Sequence, residues 1–264
     1  MSAKAPSTLI EQAKLQGRVI FALAMRETIT RFGREGLGAF WLMAEPALFV
    51  VGVMFIFSRM DSGSQYPVAE MLAISYPTLL FWRNGTARIT KAIEINRALL
   101  HHTPIRPIDI LYARILLEFS GSAASFFALY IIFIAIGICH PPADTLTMAL
   151  GYLLVIWFSF SFVLTMAALA DLSDTIERLS HVILYLMLPL CGVFLPLFAV
   201  PQPYRGYLLY FPLVDAVEFF RHGYYGSSMR TYYNIPYTLL TLLGMMLFAL
   251  ALTNISIRKT QLDS

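Results

Sequence analysis

Apolar residues fill long stretches of this chain, and polar residues are gathered into the intervals between them. Six stretches, at 37–57, 68–82, 108–138, 146–170, 182–200 and 235–257, approach or exceed the ~20 residues with which a helix crosses a ~30 Å hydrocarbon layer. The pattern predicts an all-α integral membrane protein with six transmembrane helices in a single domain, 1–264. Residues 68–82 are short for a span and contain Pro77, so tilting or local thinning is expected there. Residues 108–138 would form a helix about 45 Å long, part of which should protrude. Arg114 and Glu118, one turn apart, fit that protruding part as an exposed interfacial pair.

The intervals carry more information than the spans. Within residues 1–36, Lys14, Arg18, Arg26, Arg31 and Arg34 alternate with Leu9, Ile10, Ile20, Leu23 and Ile29, a helical pattern too charged to cross a bilayer. It suits an amphipathic helix in the interface plane, facing anionic lipid phosphates, or a soluble helix packed on a partner. Residues 88–107 form a basic, polar island. Its helix-compatible part, 89–100, must stop before Pro104 and Pro107, which lack the amide hydrogen of an interior helical turn and bias Thr103 and Arg106 towards extended backbone. The island reads either as a contact helix for a soluble partner or as a solvated connection.

Further on, residues 171–181 form a polar turn in which Asp174 and Glu177 suit the amino end of a helix rather than catalysis. The run 182–200 is interrupted by Pro189 and Pro196. Residues 203–233 are too polar to span and too apolar for an aqueous loop, with tyrosines at 204, 207, 210, 224, 225, 232 and 233. That composition predicts two short re-entrant or interfacial helices meeting near Pro212, or else an aromatic interface belt.

Charge fixes a direction. Fifteen of the 19 Lys and Arg residues fall on one side of a six-span arrangement, leaving Arg59, Arg205, Arg221 and Arg230 on the other. The positive-inside rule then places both termini and the 88–107 island in the cytoplasm, with 203–233 on the opposite side. A content of 58% apolar and 13% charged residues excludes an ordinary soluble domain, and a net charge of +3 gives no ground for a nucleic-acid partner. The first 18 residues lack an apolar core before a small-residue site, so no cleavable signal peptide is expected.

The chemistry a transporter or enzyme would need is sparse. No glycine precedes a lysine, so there is no Walker A loop, and neither GxGxxG nor HExxH occurs. Cys139 and Cys191 lack metal-ligand or redox spacing, and His101 and His102 would point about 100° apart on a helix, which suits no shared metal. No catalytic residue, metal or cofactor is therefore assigned to the chain. Glu45, beside Pro46 within the first span, is either a packed group at a kink or the carboxylate that a proton-coupled secondary transporter would require.

Four stretches, TRFGREGLGAFWLMAEP (30–46), AIEIN (92–96), PIRPIDILYAR (104–114) and YLLYFPLVDAVE (207–218), occur in an order that resembles one family. These are the membrane subunits of type-2 ABC exporters, specifically those of Gram-negative capsule polysaccharide export. The resemblance implies an inner-membrane permease that pairs with a second copy of itself and with two cytoplasmic ABC ATPase subunits, on which ATP and Mg would sit. It also implies periplasmic and outer-membrane export partners and a lipid-linked polysaccharide as cargo, with O-antigen or teichoic-acid export as the nearest alternative. Residues 91–101 would correspond to the family's short coupling helix, with Ile93, Glu94, Asn96, Arg97 and His101 as contacts. Residues 203–222 would correspond to its periplasmic gate helices. On that reading Phe81, Trp82, Tyr207, Tyr210 and Phe211 become sugar-stacking contacts, Asp215 and Glu218 line the gate, and Arg31 and Arg34 attract a lipid phosphate or acidic sugar. The tyrosine-rich stretch 222–233 departs from the family pattern.

Overall fold

The computed structural model describes residues 9–32, 37–57, 66–90, 92 and 106–262, and all secondary structure among them is helical. α1 (Leu9–Phe32) is followed by α2 (Leu37–Phe57), which continues unbroken through Glu45 and Pro46. α3 (Val68–Ser75) leads through a 3-10 turn, Pro77–Leu79, into α4 (Leu80–Ile89). Pro77 sits at the first position of that turn, where its missing amide hydrogen is least costly, so the chain kinks and remains helical. Helical backbone thus runs on past residue 82, with Ile89 as the last residue of α4.

α5 (Pro107–Ala135) begins on Pro107 after an extended Arg106, as a proline at the first helical position favours. α6 (Thr145–Leu172) is capped by Asp144, whose carboxylate accepts from the Leu146 amide at 2.9 Å and the Thr147 hydroxyl at 2.5 Å. α7 (Asp174–Met187) is only 14 residues long, about 21 Å. The apolar run 182–200 is accordingly not a single helix. Pro189 and Pro196 cannot donate to a helical ladder, Gly192 takes a positive φ of 78°, and only a 3-10 turn, Leu197–Ala199, forms before Val200. α8 (Gln202–Leu209) and α9 (Pro212–Tyr225) follow, with Pro212 starting the second of the pair, and α10 (Ile235–Leu262) ends the described chain.

Three helices among the described residues are long and apolar enough to cross a membrane: Pro107–Ala135, Thr145–Leu172 and, within α10, Ile235–Lys259. α6 lies at the centre, against α9, α10 and α4. Its contact with α9 is a direct approach of backbone to backbone. A Cβ on Gly223 of α9 would stand 2.1 Å from the Met148 amide nitrogen, and one on Gly151 of α6 would stand 2.5 Å from Phe220 Cα, so only glycine admits this backbone approach. One apolar cluster, including Trp82, Phe158, Phe220 and Tyr224, fills the space around α6 and α9; a second, including Phe81, Ile89, Ile110, Leu111 and Val163, joins α4, α5 and α6.

Candidate functional site

Two polar assemblies stand out in this apolar framework. One surrounds α9, and the other lies where the chain enters and leaves residues 93–105.

At α9, Glu218 and Arg221 form an ion pair, Nη1 to Oε1 3.2 Å, between side chains that are 1% and 0% exposed. A buried ion pair is costly to desolvate unless its remaining donors and acceptors find partners, and here most of those partners are neighbouring backbone groups. Arg221 donates from Nη1 to the Gly192 carbonyl at 2.6 Å, from Nη2 to the Val193 carbonyl at 2.7 Å and from Nε to Ser75 Oγ at 3.1 Å. Glu218 accepts from the amides of Leu197 at 3.3 Å and Tyr232 at 3.2 Å. The interrupted segment after α7 has no helical ladder to satisfy its carbonyls, and in a water-poor interior something else must do so. Arg221 does, and it thereby ties α9 to both that segment and α3.

Asp215, one turn earlier and fully buried, accepts from the Asn234 amide at 3.2 Å and the Thr238 hydroxyl at 2.9 Å, holding α9 to the start of α10. An acidic group at a helix amino end also suits the local dipole. At the other end of α9, the amides of Ala143 and Asp144 donate to the carbonyls of Tyr224 at 3.0 Å and Gly223 at 2.8 Å. The Tyr224 hydroxyl donates to Glu70 of α3 at 2.6 Å, and His140 stacks on the Tyr224 ring at 4.4 Å while its Nε2 lies 3.1 Å from Glu70. α9 is thus fixed at both ends and along its length.

α8 is the opposite case, with no buried residue. Tyr204, Tyr207 and Tyr210 recur at three-residue spacing and are 64%, 73% and 71% exposed, an open aromatic stripe beside the fixed α9. Phe211, half-buried, closes the element by packing edge-on against Phe158 at 5.4 Å.

The expected path residues therefore separate into two groups. Tyr207 and Tyr210 are open to the surroundings, whereas Asp215 and Glu218 are internal, Glu218 paired with Arg221 and Asp215 bonded through Oδ2. Phe81 and Trp82 are also internal: Trp82 packs edge-on against Phe162, and Phe81 lines an apolar cleft of about 360 Å³ with Ile20, Tyr112 and Phe160. Arg31 falls in the last turn of α1. Arg34 and the contact residues Ile93, Glu94, Asn96, Arg97 and His101 lie outside the described residues.

The flanks of that island meet in two ion pairs between helices. Arg114 and Glu118 are not an exposed pair. They are 7% and 3% exposed, and they reach other helices: Arg114 pairs with Glu27 of α1 at 3.2 Å, and Glu118 with Arg88 of α4 at 3.3 Å. Burial between α1, α4 and α5 makes cross-helix partners available that the spacing within α5 does not reveal. Sequence reasoning also passed over Arg221, Glu70 and Gly223. The available signal for Arg221 was a Glu-x-x-Arg step in an aromatic segment, close after an apolar run whose two prolines leave carbonyls in need of donors.

A family model described as ABC-2 type transporter matches residues 18–225, from within α1 to the last residue of α9. The chain is 35% identical over 256 residues to the capsule polysaccharide export inner-membrane protein CtrC of Neisseria meningitidis serogroup B, covering 96% of this chain and 97% of that protein. It is 32% identical over 248 residues to the capsule polysaccharide export inner-membrane protein BexB of Haemophilus influenzae, covering 93% and 94%. With the polysialic acid transport protein KpsM of Escherichia coli it shares 28% identity over 244 residues, covering 89% and 94%.

Proposed function

The chain belongs to the ABC-2 type transporter family, and on that premise we propose that it is the permease subunit of an ATP-driven exporter of lipid-linked capsular polysaccharide. The observation that carries the reading is the nearly end-to-end match to inner-membrane capsule export proteins from two organisms. The cargo moves from the cytoplasm across the inner membrane to the periplasm. Six spans, two of them interrupted by prolines, hold both termini and the 88–107 island in the cytoplasm, as the distribution of Lys and Arg favours.

The chain supplies the passage and a partner supplies the energy. Two ABC ATPase subunits, which carry the ATP and Mg, engage the island at residues 91–101 with Ile93, Glu94, Asn96, Arg97 and His101 at the contact. A second copy of the chain completes the passage, and the apolar face of α10, where Leu240, Leu247 and Phe248 are exposed, meets lipid or that copy. Periplasmic and outer-membrane export proteins receive the polysaccharide.

On the periplasmic side α8 and α9 form the gate. An interrupted backbone at membrane depth is tolerated where protein covers it, and the Arg221 hydrogen bonds give that cover. The Tyr207 and Tyr210 rings offer apolar faces on which sugar rings stack and slide, while Asp215 and Glu218 hold the gate's frame. Arg31 and Arg34 attract the lipid phosphate as the cargo enters.

Removing the chain from its host tests this reading: capsular polysaccharide should still be made but remain inside the cell. An undiminished surface capsule would overturn it.

A further inference from the structure

The chain segments on either side of residues 93–105 are bound together at their base. Ile89 and Ala92, on the amino side of residues 93–105, share one buried apolar cluster with Ile110, Leu111 and Ile115 on the carboxyl side. Arg88 at the end of α4 pairs with Glu118 of α5 at 3.3 Å, and Arg114 of α5 donates from Nη1 to the Arg88 carbonyl at 3.3 Å. That carbonyl belongs to the last turn of α4, where helix carbonyls lack intrahelical donors and a cation is favoured. Arg114 is therefore bound to the point at which the chain leaves the membrane domain for the island.

The same guanidinium turns to α1. Its Nη2 lies 3.2 Å from Glu27, and one guanidinium thus holds α4 and α1 from a side chain that is only 8% exposed. A second contact runs in parallel nearer the start of α1, where Gln16 donates to Asp109 at 3.0 Å. The inward side of α1 is formed by Gln16, Ile20, Leu23, Ala24 and Glu27, positions that share one helical face and are all at least partly buried. Planar, forked donors such as Arg114 fix direction as well as distance, which a flexible ammonium does not.

We propose that Arg114 is the positioning residue that makes α1 move with the coupling island, through the chain Arg88 carbonyl, Arg114 guanidinium, Glu27 carboxylate. The proposal rests on the reading that residues 91–101 contact the ATPase. A displacement imposed there reaches the end of α4 directly, and Arg114 carries it sideways to α1, so that α1, the end of α4 and the start of α5 travel as one body. Without this guanidinium, ATP would still be hydrolysed, but α1 would no longer follow.

The test uses the chain co-purified with its ATPase subunits and reconstituted in liposomes with lipid-linked polysaccharide. Glu27→Leu, Arg114→Gln, their double variant and Arg114→Lys are compared for ATP hydrolysis and for polysaccharide moved per ATP. Both single variants should keep hydrolysis near the wild-type rate and lose about tenfold in transport per ATP. The double variant should lose no more than Arg114→Gln alone, because both changes break one chain of contacts, and Arg114→Lys should recover part of the loss. Independent, multiplying losses in the double variant, or unaltered transport per ATP, would overturn the proposal.

A cross-link reads the motion directly, because the same protein is its own control before linking and after cleavage. In a chain with Cys139→Ser and Cys191→Ser, Gln16→Cys and Asp109→Cys are joined by a short, cleavable thiol reagent. If α1 and α5 travel together, transport survives cross-linking; if it stops and returns on cleavage, the two must separate and the proposal is wrong. A wild-type chain that binds no ATPase would defeat the functional reading itself, whereas assembly with multiplying losses defeats only the role of Arg114.

Discussion

Arg221 reaches from α9 to the Gly192 carbonyl at 2.6 Å, so a guanidinium stands in for the helical ladder that Pro189, Gly192 and Pro196 interrupt. One side chain connects α9 to the broken segment and, through Ser75, to α3. This places the rigidity of the region in α9 and leaves α8 as its exposed arm.

Arg221→Ala should destabilise the protein by about 3–5 kcal/mol, because Glu218 is left as an uncompensated buried charge and two carbonyls lose their donors. Thermal unfolding of the detergent-purified protein measures this. Arg221→Met with Glu218→Leu should be less damaging than Arg221→Ala, since no isolated charge then remains. Equal losses in the two variants would show that the ion pair is not what holds the segment.

Gly223→Ala should prevent the close crossing of α9 over α6, because the added methyl has backbone on its far side rather than a movable side chain. The cost is at least the ~1–3 kcal/mol of ordinary overpacking. Gly206→Ala on α8, where an added Cβ meets nothing within 4 Å, is the control and should leave the unfolding temperature unchanged or slightly raised, since alanine is the better helix former. A tolerated Gly223→Ala would contradict the crossing.

The Asp144 cap gives a pH dependence of known sign. The Thr147 hydroxyl, and after it the Thr147 and Leu146 amides, hold the Asp144 carboxyl below the usual carboxylate range. A lowered folded-state value stabilises the fold fully above the unfolded value, and the contribution is lost as pH falls through the folded one. The gap in unfolding temperature between wild type and Asp144→Ala should therefore be widest near neutrality and narrow in acid. A gap that does not vary with pH would rule out the ionised cap.

Tyr207→Ala with Tyr210→Ala should lower polysaccharide export several-fold while leaving folding within about 0.5 kcal/mol, since both rings are exposed. Phenylalanine at both positions keeps the stacking face and should retain most export. Export that falls equally with Phe and Ala would point to the hydroxyls instead.

The long helices were legible because they need only apolar length: the stretches 108–138, 146–170 and 235–257 reappear within a few residues as parts of α5, α6 and α10. The break at Pro212 was legible for an equally local reason, the missing amide hydrogen and fixed φ of proline. In the run 182–200 the two prolines announced the interruption but not its remedy, because an apolar segment looks the same whether its carbonyls bond to their own helix or to a distant arginine. Arg114 and Glu118 misled. Their four-residue step fits an exposed pair, but Glu118 meets Arg88, 30 residues away in sequence. Gly151 and Gly223 carried no pattern at all, since their meaning lies in the backbone each one faces.

The central claim, that this chain is the membrane path of an ATP-powered polysaccharide exporter, is tested most directly in proteoliposomes. The chain and its ATPase subunits are reconstituted there, and the transfer of lipid-linked capsular polysaccharide across the bilayer is followed with and without ATP. The account predicts transfer that requires ATP, persists when the proton gradient is dissipated, and fails when residues 91–101 are replaced by a neutral linker. Transfer driven by a proton gradient without the ATPase, and abolished by Glu45→Gln, would contradict it.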